Sequence, residues 1–341
     1  ISVPKFIAAK GLGALFGKWV HFKGPTRSIK LIDIDEPDIP SDEWVKLKTL
    51  YCGFCGSDLN LMLLHDSPTA SPFTSFPCVP GHEVVAEIVE LGRNASGFKQ
   101  GDRVVVNPAL SCVVRGIEPL CKACRSGRSA NCENLAEGAF SPGMFLGICS
   151  DLNGGFAPYL VAHKSQLYKI PEGVSLESAS LVEPFAVALQ SVFDNTPEEN
   201  ERVLVIGGGV IGNLIIQSLK LLQPNCEIAV IEPSHFAAGL AKEVGANKII
   251  SPGNIFKETA NLTSSKVYKP LMGMDIMTGG FDKIYDTVGS SNTLNLSMRV
   301  LSNLGTLSIV GIGSDVKLDL TPLWLKLQTI KGVFAYGEVL Y

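Results

Sequence analysis

The stretch that most constrains the fold is Val203-Leu-Val-Ile-Gly-Gly-Gly-Val-Ile-Gly212. Four apolar residues run straight into Gly207, Gly209 and Gly212 at G-x-G-x-x-G spacing, and helical periodicity follows over Ile211–Leu222. A buried strand that turns tightly into a helix opens a parallel, doubly wound sheet. Gly207 suits the tight turn, Gly209 lets backbone approach a pyrophosphate, and Gly212 allows close helix–strand packing. The N–H groups of the first helical turn, at Val210, Ile211 and Gly212, offer the positive end of the helix dipole to phosphates. Glu232 lies 20 residues beyond Gly212, at the end of the next expected strand. A carboxylate there can accept both adenosine-ribose hydroxyls and repels a 2′-phosphate, so NAD is expected rather than NADP.

The rest of the chain divides around this unit. Beyond about residue 175 the pattern alternates strand and helix: helix over Glu177–Phe193, strands at Val203–Ile206 and Ile228–Ile231, and helix over Phe236–Val244. Two further strands are expected at Lys283–Asp286 and Leu307–Val310. Asn261–Gly280 has the least pattern and is expected to be a loop. Before residue 175, residues 28–50 alternate apolar and polar positions. Val84–Leu91, Arg103–Val106 and residues 155–170 are also strand-like, with turn-rich segments between them, which suits an antiparallel sheet. A short helix is expected from Ser57 to His65, begun by Ser57 or Asp58. The fold class expected is therefore α/β, with a boundary near residue 178.

A length of 341 residues accommodates two domains, and a net charge of −4 advertises no basic face for nucleic acid. The apolar run Gly11–Gly17 is short, is followed at once by Lys18 and lacks a small-residue cleavage site, so no leader is expected. Val203–Leu222 holds four glycines, Asn213 and Lys220, so it reads as strand, turn and helix rather than a membrane span, and no membrane partner is expected.

The nine cysteines are an odd number with metal-like spacing, which points to a reduced, cytoplasmic protein. Cys121-x2-Cys124-x7-Cys132, with Cys112 nine positions upstream, brings soft sulfur donors together in a way that favours Zn2+. A second set of donors is scattered: Cys52 and Cys55 in Tyr51-Cys-Gly-Phe-Cys-Gly-Ser-Asp58, then Gly81-His82-Glu83, then Leu181-Val-Glu183-Pro184. Mixed S, N and O donors with an open position suit a reacting zinc rather than a structural one.

With these residues in view, the chain resembles the zinc-dependent alcohol dehydrogenases of the medium-chain dehydrogenase/reductase family. The resemblance runs over essentially the whole length. Its carriers are Cys55-Gly-Ser-Asp58, Gly81-His-Glu83 followed by Gly101-Asp-Arg-Val104, the cysteine lobe, Glu183-Pro184 and Gly207–Gly212. It implies a GroES-like β-barrel over residues 1–178, with a structural zinc lobe at about 108–135, and a Rossmann domain over 179–341. It also implies two zinc ions per chain. Cys55, His82 and Glu183 would hold the reacting ion, with Glu83 as an alternating ligand or a carboxylate behind it. Glu183 matches the polyol, glucose and threonine dehydrogenase-like branches. Ser57 would relay the substrate proton, Asp58 would orient the ligands, and Cys52 would pack in the core.

The implied reaction moves hydride from a secondary alcohol (a polyol, sugar or amino alcohol such as threonine) to NAD. Relatives are dimers or tetramers, so a homo-oligomer is implied too. A biosynthetic reductase of the same family, or a dinucleotide-binding protein without catalysis, fits the same residues. Three features depart from the family. Asn60 stands where many relatives carry a relay histidine. Glu118 occupies the usual first position of the lobe and competes with Cys112 as fourth ligand, and Cys112 is expected because structural zinc prefers thiolate. The family's C-terminal return to the first domain is expected to be missing from a chain that ends at Tyr341.

Overall fold

Two sheets of different kinds organise the chain in its computed structural model, which describes residues 3–312 and 315–337. One unit runs up to Glu183 and resumes at Tyr336; the other spans Pro184–Ala335. The observed division thus falls five residues beyond the expected 178, and the chain returns to the first unit at Tyr336.

The first unit contains α1 (Val3–Phe16), β1 (Trp44–Gly53), α2 (Gly56–Met62), β2 (Glu83–Leu91) and β3 (Arg103–Val106). It continues with a short α3 (Lys122–Arg125), β4 (Tyr159–His163), β5 (Leu167–Lys169) and α4 (Leu176–Ala179). The strands pair antiparallel in the order β4-β1-β2-β3-β5. Side chains two apart share a face, so Val45 and Leu47, Val84, Ala86 and Ile88, Val104 and Val106, and Leu160 and Ala162 converge in one core. Each large aliphatic side chain buried there contributes about 1.5–3 kcal/mol.

Residues 28–43 form no strand, against the expectation from their alternation. Pro37 and Pro40 cannot donate to a ladder, and regular pairing begins only at Trp44. The helix expected over Glu177–Phe193 is two: α4, and α5 (Val182–Phe193). Ser175 caps α4 by accepting from Ser178 N, and Pro184 falls in the first turn of α5, where its missing N–H costs nothing.

The second unit continues with β6 (Arg202–Ile206), α6 (Val210–Leu222), β7 (Glu227–Ile231), α7 (His235–Glu243), β8 (Lys248–Ile250) and α8 (Ile255–Thr263). Then come β9 (Lys266–Tyr268), β10 (Ile276–Thr278), β11 (Phe281–Asp286), α9 (Ser291–Val300), β12 (Leu301–Ile309), α10 (Thr321–Leu325) and β13 (Thr329–Gly332). Six strands lie parallel in the order β13-β12-β11-β6-β7-β8. Counted within the sheet this is 3-2-1-4-5-6, the doubly wound order, with its reversal between β6 and β11. Both faces are covered: Val203, Val205, Ile228 and Val230 pack on one side, and Leu204, Ile206, Ala229 and Ile231 on the other. That explains the uninterrupted apolar runs of β6 and β7. The segment expected as a loop, Asn261–Gly280, instead completes α8 and forms the antiparallel β9–β10 hairpin.

Candidate metal and dinucleotide sites

Strand register assembles the first cluster. Gly53, the last residue of β1, pairs with Glu83, the first of β2. Cys55 follows just beyond one strand and His82 just precedes the other, so one ladder rung brings them together. Ligand atoms of Cys55, His82 and Glu83 all lie within 4.8 Å of one another. A Cβ at Gly53 would collide with the Glu83 carboxylate, which explains the glycine at that rung.

Asp58 locks the arrangement. Its Oδ2 accepts from Cys55 N at 3.0 Å, and its Oδ1 accepts from Gly81 N at 3.2 Å and lies 3.4 Å from His82 Nδ1. One buried carboxylate on the first turn of α2 therefore fixes both chain segments that carry donors, as carboxylates behind metal-binding histidines do. With Nδ1 turned to Asp58, Nε2 faces Ser57 Oγ at 3.5 Å.

Glu183 does not join the three-residue cluster but lies in its field. Burial pushes its carboxyl up to about 7, against the pull of His82, with Glu83 and Asp58 also raising it and a hydrogen bond from Tyr336 lowering it. Tyr336 carries no motif; it stands far away in sequence and was missed by sequence reasoning. Burial would lower His82, yet Asp58, Cys55 and Glu183 outweigh it and hold the imidazole up to about 11. Such a surplus of negative charge around one imidazole, in a largely buried setting, suits a divalent cation, so the donor set fits zinc. Cys52 behaves differently. Burial, reinforced by Asp58, pushes its thiol up to about 12, and the sulfur packs against the first unit's core. It is a small apolar side chain there. Asn60 sits on α2, as the relay-position departure requires.

The second cluster is the cysteine lobe. Sulfurs of Cys112, Cys121, Cys124 and Cys132 lie within 4.8 Å of one another, and Glu118 is not among them. Cys112 and Cys132 sulfurs are 3.5 Å apart and those of Cys121 and Cys132 are 3.9 Å apart. A zinc tetrahedron with bonds of about 2.3 Å has edges of about 3.8 Å, so the spacing fits that ion, and all four cysteines are free thiols. Backbone N–H groups are aimed at the sulfurs: Cys124 and Glu133 donate to Cys121, Asn134 to Cys132, and Cys121 to Cys112. Burial raises the Cys121 thiol, but the donors Glu133 and Cys124 outweigh it and bring it down to about 7.

The glycine-rich turn lies in the second unit, between β6 and α6. Gly207 has φ +95°, which disfavours a side chain, and a Cβ on Gly212 would run into Gly207 O. Both glycines are therefore required by the fold itself. Gly209 is not: a Cβ there meets nothing within 4 Å. It caps α6 without a side chain to occupy the first N–H groups, at Val210, Ile211 and Gly212. That open, donor-lined cradle fits a phosphate group. Glu232 is tied in beside it, with Oε2 accepting from Gly208 N at 2.7 Å and Oε1 from Ser234 N at 2.7 Å. Each oxygen retains acceptor capacity for a hydroxyl.

Comparison with known proteins follows this anatomy. Residues 41–172 match the model of the alcohol dehydrogenase GroES-like domain and residues 210–340 that of the zinc-binding dehydrogenase domain. A sorbitol dehydrogenase of Bacillus subtilis is 27% identical over 92% of this chain and 81% of its own. An L-threonine 3-dehydrogenase of Photorhabdus laumondii is 29% identical over 92% and 82%. The crystal structure of 2R,3R-butanediol dehydrogenase from Bacillus subtilis superposes with a TM-score of 0.70 at 27% identity, covering 91% of this chain and 82% of that one. The two matched domain models and these relatives place the chain in one lineage: it is a member of the zinc-dependent medium-chain dehydrogenase/reductase family. It is an oxidoreductase of the alcohol dehydrogenase type.

Proposed function

We propose that this protein oxidises a secondary alcohol with NAD, using one zinc ion at Cys55, His82 and Glu183 and a second at Cys112, Cys121, Cys124 and Cys132. The observation that carries the reading is the convergence of Cys55, His82 and Glu83 on one ladder rung, with Asp58 locking it and Glu183 within its field. The sorbitol, butanediol and threonine dehydrogenases among its relatives act on hydroxyl-bearing small molecules by name, which supports a polyol, sugar or amino-alcohol substrate.

Zinc bound at the first cluster supplies Lewis-acid polarisation of an alcohol oxygen, and bound NAD supplies the hydride acceptor. The chain's own residues do the rest. Ser57, on the same side as His82 Nε2, holds a hydroxyl where it can take a substrate proton and pass it outward. Asp58 keeps His82 and the backbone of Cys55 in place, which limits the rearrangement the reaction would otherwise demand. Phe145 lies 5.5 Å from the His82 ring, and Phe54 and Phe156 stack at 5.8 Å, giving apolar surface beside the donors. Asn60 cannot titrate, so the outer proton path runs through a group other than residue 60. At the glycine turn, the N–H groups at Val210, Ile211 and Gly212 would hold the pyrophosphate and Glu232 the adenosine ribose.

The test is turnover by the zinc-loaded protein on a panel of polyols, sugars, butanediol and L-threonine, with NAD and NADP in parallel. Reduction of NAD by at least one alcohol, at a kcat/KM at least tenfold above that with NADP, is expected. No turnover of any alcohol with either nucleotide would sink the reading, and a preference for NADP would show Glu232 misassigned.

A further inference from the structure

The N-terminal arm is not used by either site. Residues 1–32 carry six cations, Lys5, Lys10, Lys18, Lys23, Arg27 and Lys30, and no acid, although the chain as a whole is −4. The same segment exposes large apolar side chains: Ile7, Leu15, Phe16, Trp19 (71% exposed), Phe22, Leu31 and Ile32. On α1 charged and apolar residues are not sorted onto separate faces. Ala9 and Gly13, one turn apart, face inward, and the space left by Gly13 is filled by the buried His21 ring. Ile7, Gly11 and Leu15 form the opposite stripe. Lys10 and Lys23 lie over the Phe6 and Trp19 rings at 5.4 Å each, so a cation sits directly against an aromatic ring at two places along the arm.

The arm is closed rather than loose. Ser28 N donates to His21 O at 2.9 Å, Thr26 Oγ1 to Val20 O at 3.2 Å, and Ser28 Oγ to Met62 O at 2.6 Å, which ties the arm's base to α2. Its apolar residues are thus held outward by a folded base.

We infer that this arm docks the protein on an anionic lipid surface, with Trp19, Phe16, Phe22 and Leu15 in the headgroup boundary and Lys10 and Lys23 on the acidic headgroups. Charge complementarity selects that occupant: an acid-free cationic segment is drawn to acidic headgroups, and the exposed aromatic and aliphatic side chains beside those cations can enter the headgroup boundary. The arm lies on the surface and does not span it, because the 14 residues of α1 reach only about 21 Å against a hydrocarbon core of about 30 Å.

The experiment sediments the full chain with phosphatidylcholine vesicles, with and without about 30% phosphatidylserine. Binding to the anionic vesicles only is expected, and it should fade as salt rises towards about 0.5 M, where screening is short-ranged. The double variant Lys10→Gln/Lys23→Gln should lower the partition coefficient roughly thirtyfold, and Trp19→Ala should lower it as well. Alcohol turnover and melting temperature should stay unchanged in both. The salt series on the unaltered protein needs no variant to fold. Equal binding to both vesicle types, or none at low salt, would overturn the inference. So would a concentration-dependent dimer dispersed by Trp19→Ala without vesicle uptake, which would assign the arm to a second copy of the chain.

Discussion

Arg115 shows what a single side chain does where no sheet supports the backbone. It is fully buried, and all five of its N–H groups are used: Nε donates to Leu110 O, Nη1 to Glu137 O and Phe140 O, and Nη2 to Ser141 O and Gly143 O. A planar five-donor fork is the one side chain that can satisfy so many carbonyls at once. Nothing in the residue types marks it; a lone arginine three positions after Cys112 reads as surface charge. Arg115→Lys keeps the charge but leaves two or more buried carbonyls unmet, at a total cost on the order of 3 kcal/mol. Calorimetry should show a lower melting temperature with zinc still bound to Cys55 and His82. An unchanged melt would mean these hydrogen bonds contribute little. Glu183 and Tyr336 make the same point at the other cluster. Glu183 was visible through its Glu-Pro context, while its tyrosine partner comes from a segment whose return to the first unit no local pattern announces.

At the scale of elements, legibility followed the range of the interactions that make each one. The β6–α6 unit was readable almost to the residue, because an apolar strand, a steric turn and a helix are dictated within 20 positions. The boundary of α4 and α5 was not, because helical periodicity continues across Ser180–Leu181. The β9–β10 hairpin escaped as well, since each strand is only three residues long and β9 is exposed throughout. The rung pairing Gly53 with Glu83 could not be seen either: its register depends on bulges in β1 and on an irregular excursion between the strands. The glycine turn separates folding from binding in a way that can be measured. Gly209 has φ −71° and open space, so Gly209→Ala should change stability by less than about 1 kcal/mol while weakening NAD binding at least tenfold. Gly212→Ala forces a Cβ onto Gly207 O and should cost about 1–3 kcal/mol in stability, as overpacking does. Calorimetry paired with nucleotide titration reads both. Equal effects of the two substitutions on the melt would show that Gly209 serves the turn rather than a ligand.

At the scale of the whole molecule, the proposed function divides the work between the two cysteine-bearing clusters, and metal counting tests that division. The lobe offers four thiolates with no donor left for substrate, whereas the Cys55–His82–Glu83 rung offers mixed donors beside a hydroxyl at Ser57. Two zinc ions per chain are therefore expected. Cys55→Ser should leave one ion, abolish alcohol turnover and barely move the melting temperature, because β1 and β2 still pair along their length. Cys124→Ser should also leave one ion but lower the melting temperature markedly, because α3 is a single turn in a lobe with no sheet behind it and depends on the metal more than β1 and β2 do. Acid should empty the lobe, since protons compete with zinc for thiolates. The stability the metal contributes is present at neutral pH and lost as pH falls. Metal analysis of both variants beside turnover and calorimetry gives four outcomes. If Cys55→Ser retained two ions, or if both variants lost activity and stability in equal measure, the division of labour would be wrong and the two clusters would form a single cooperative metal system.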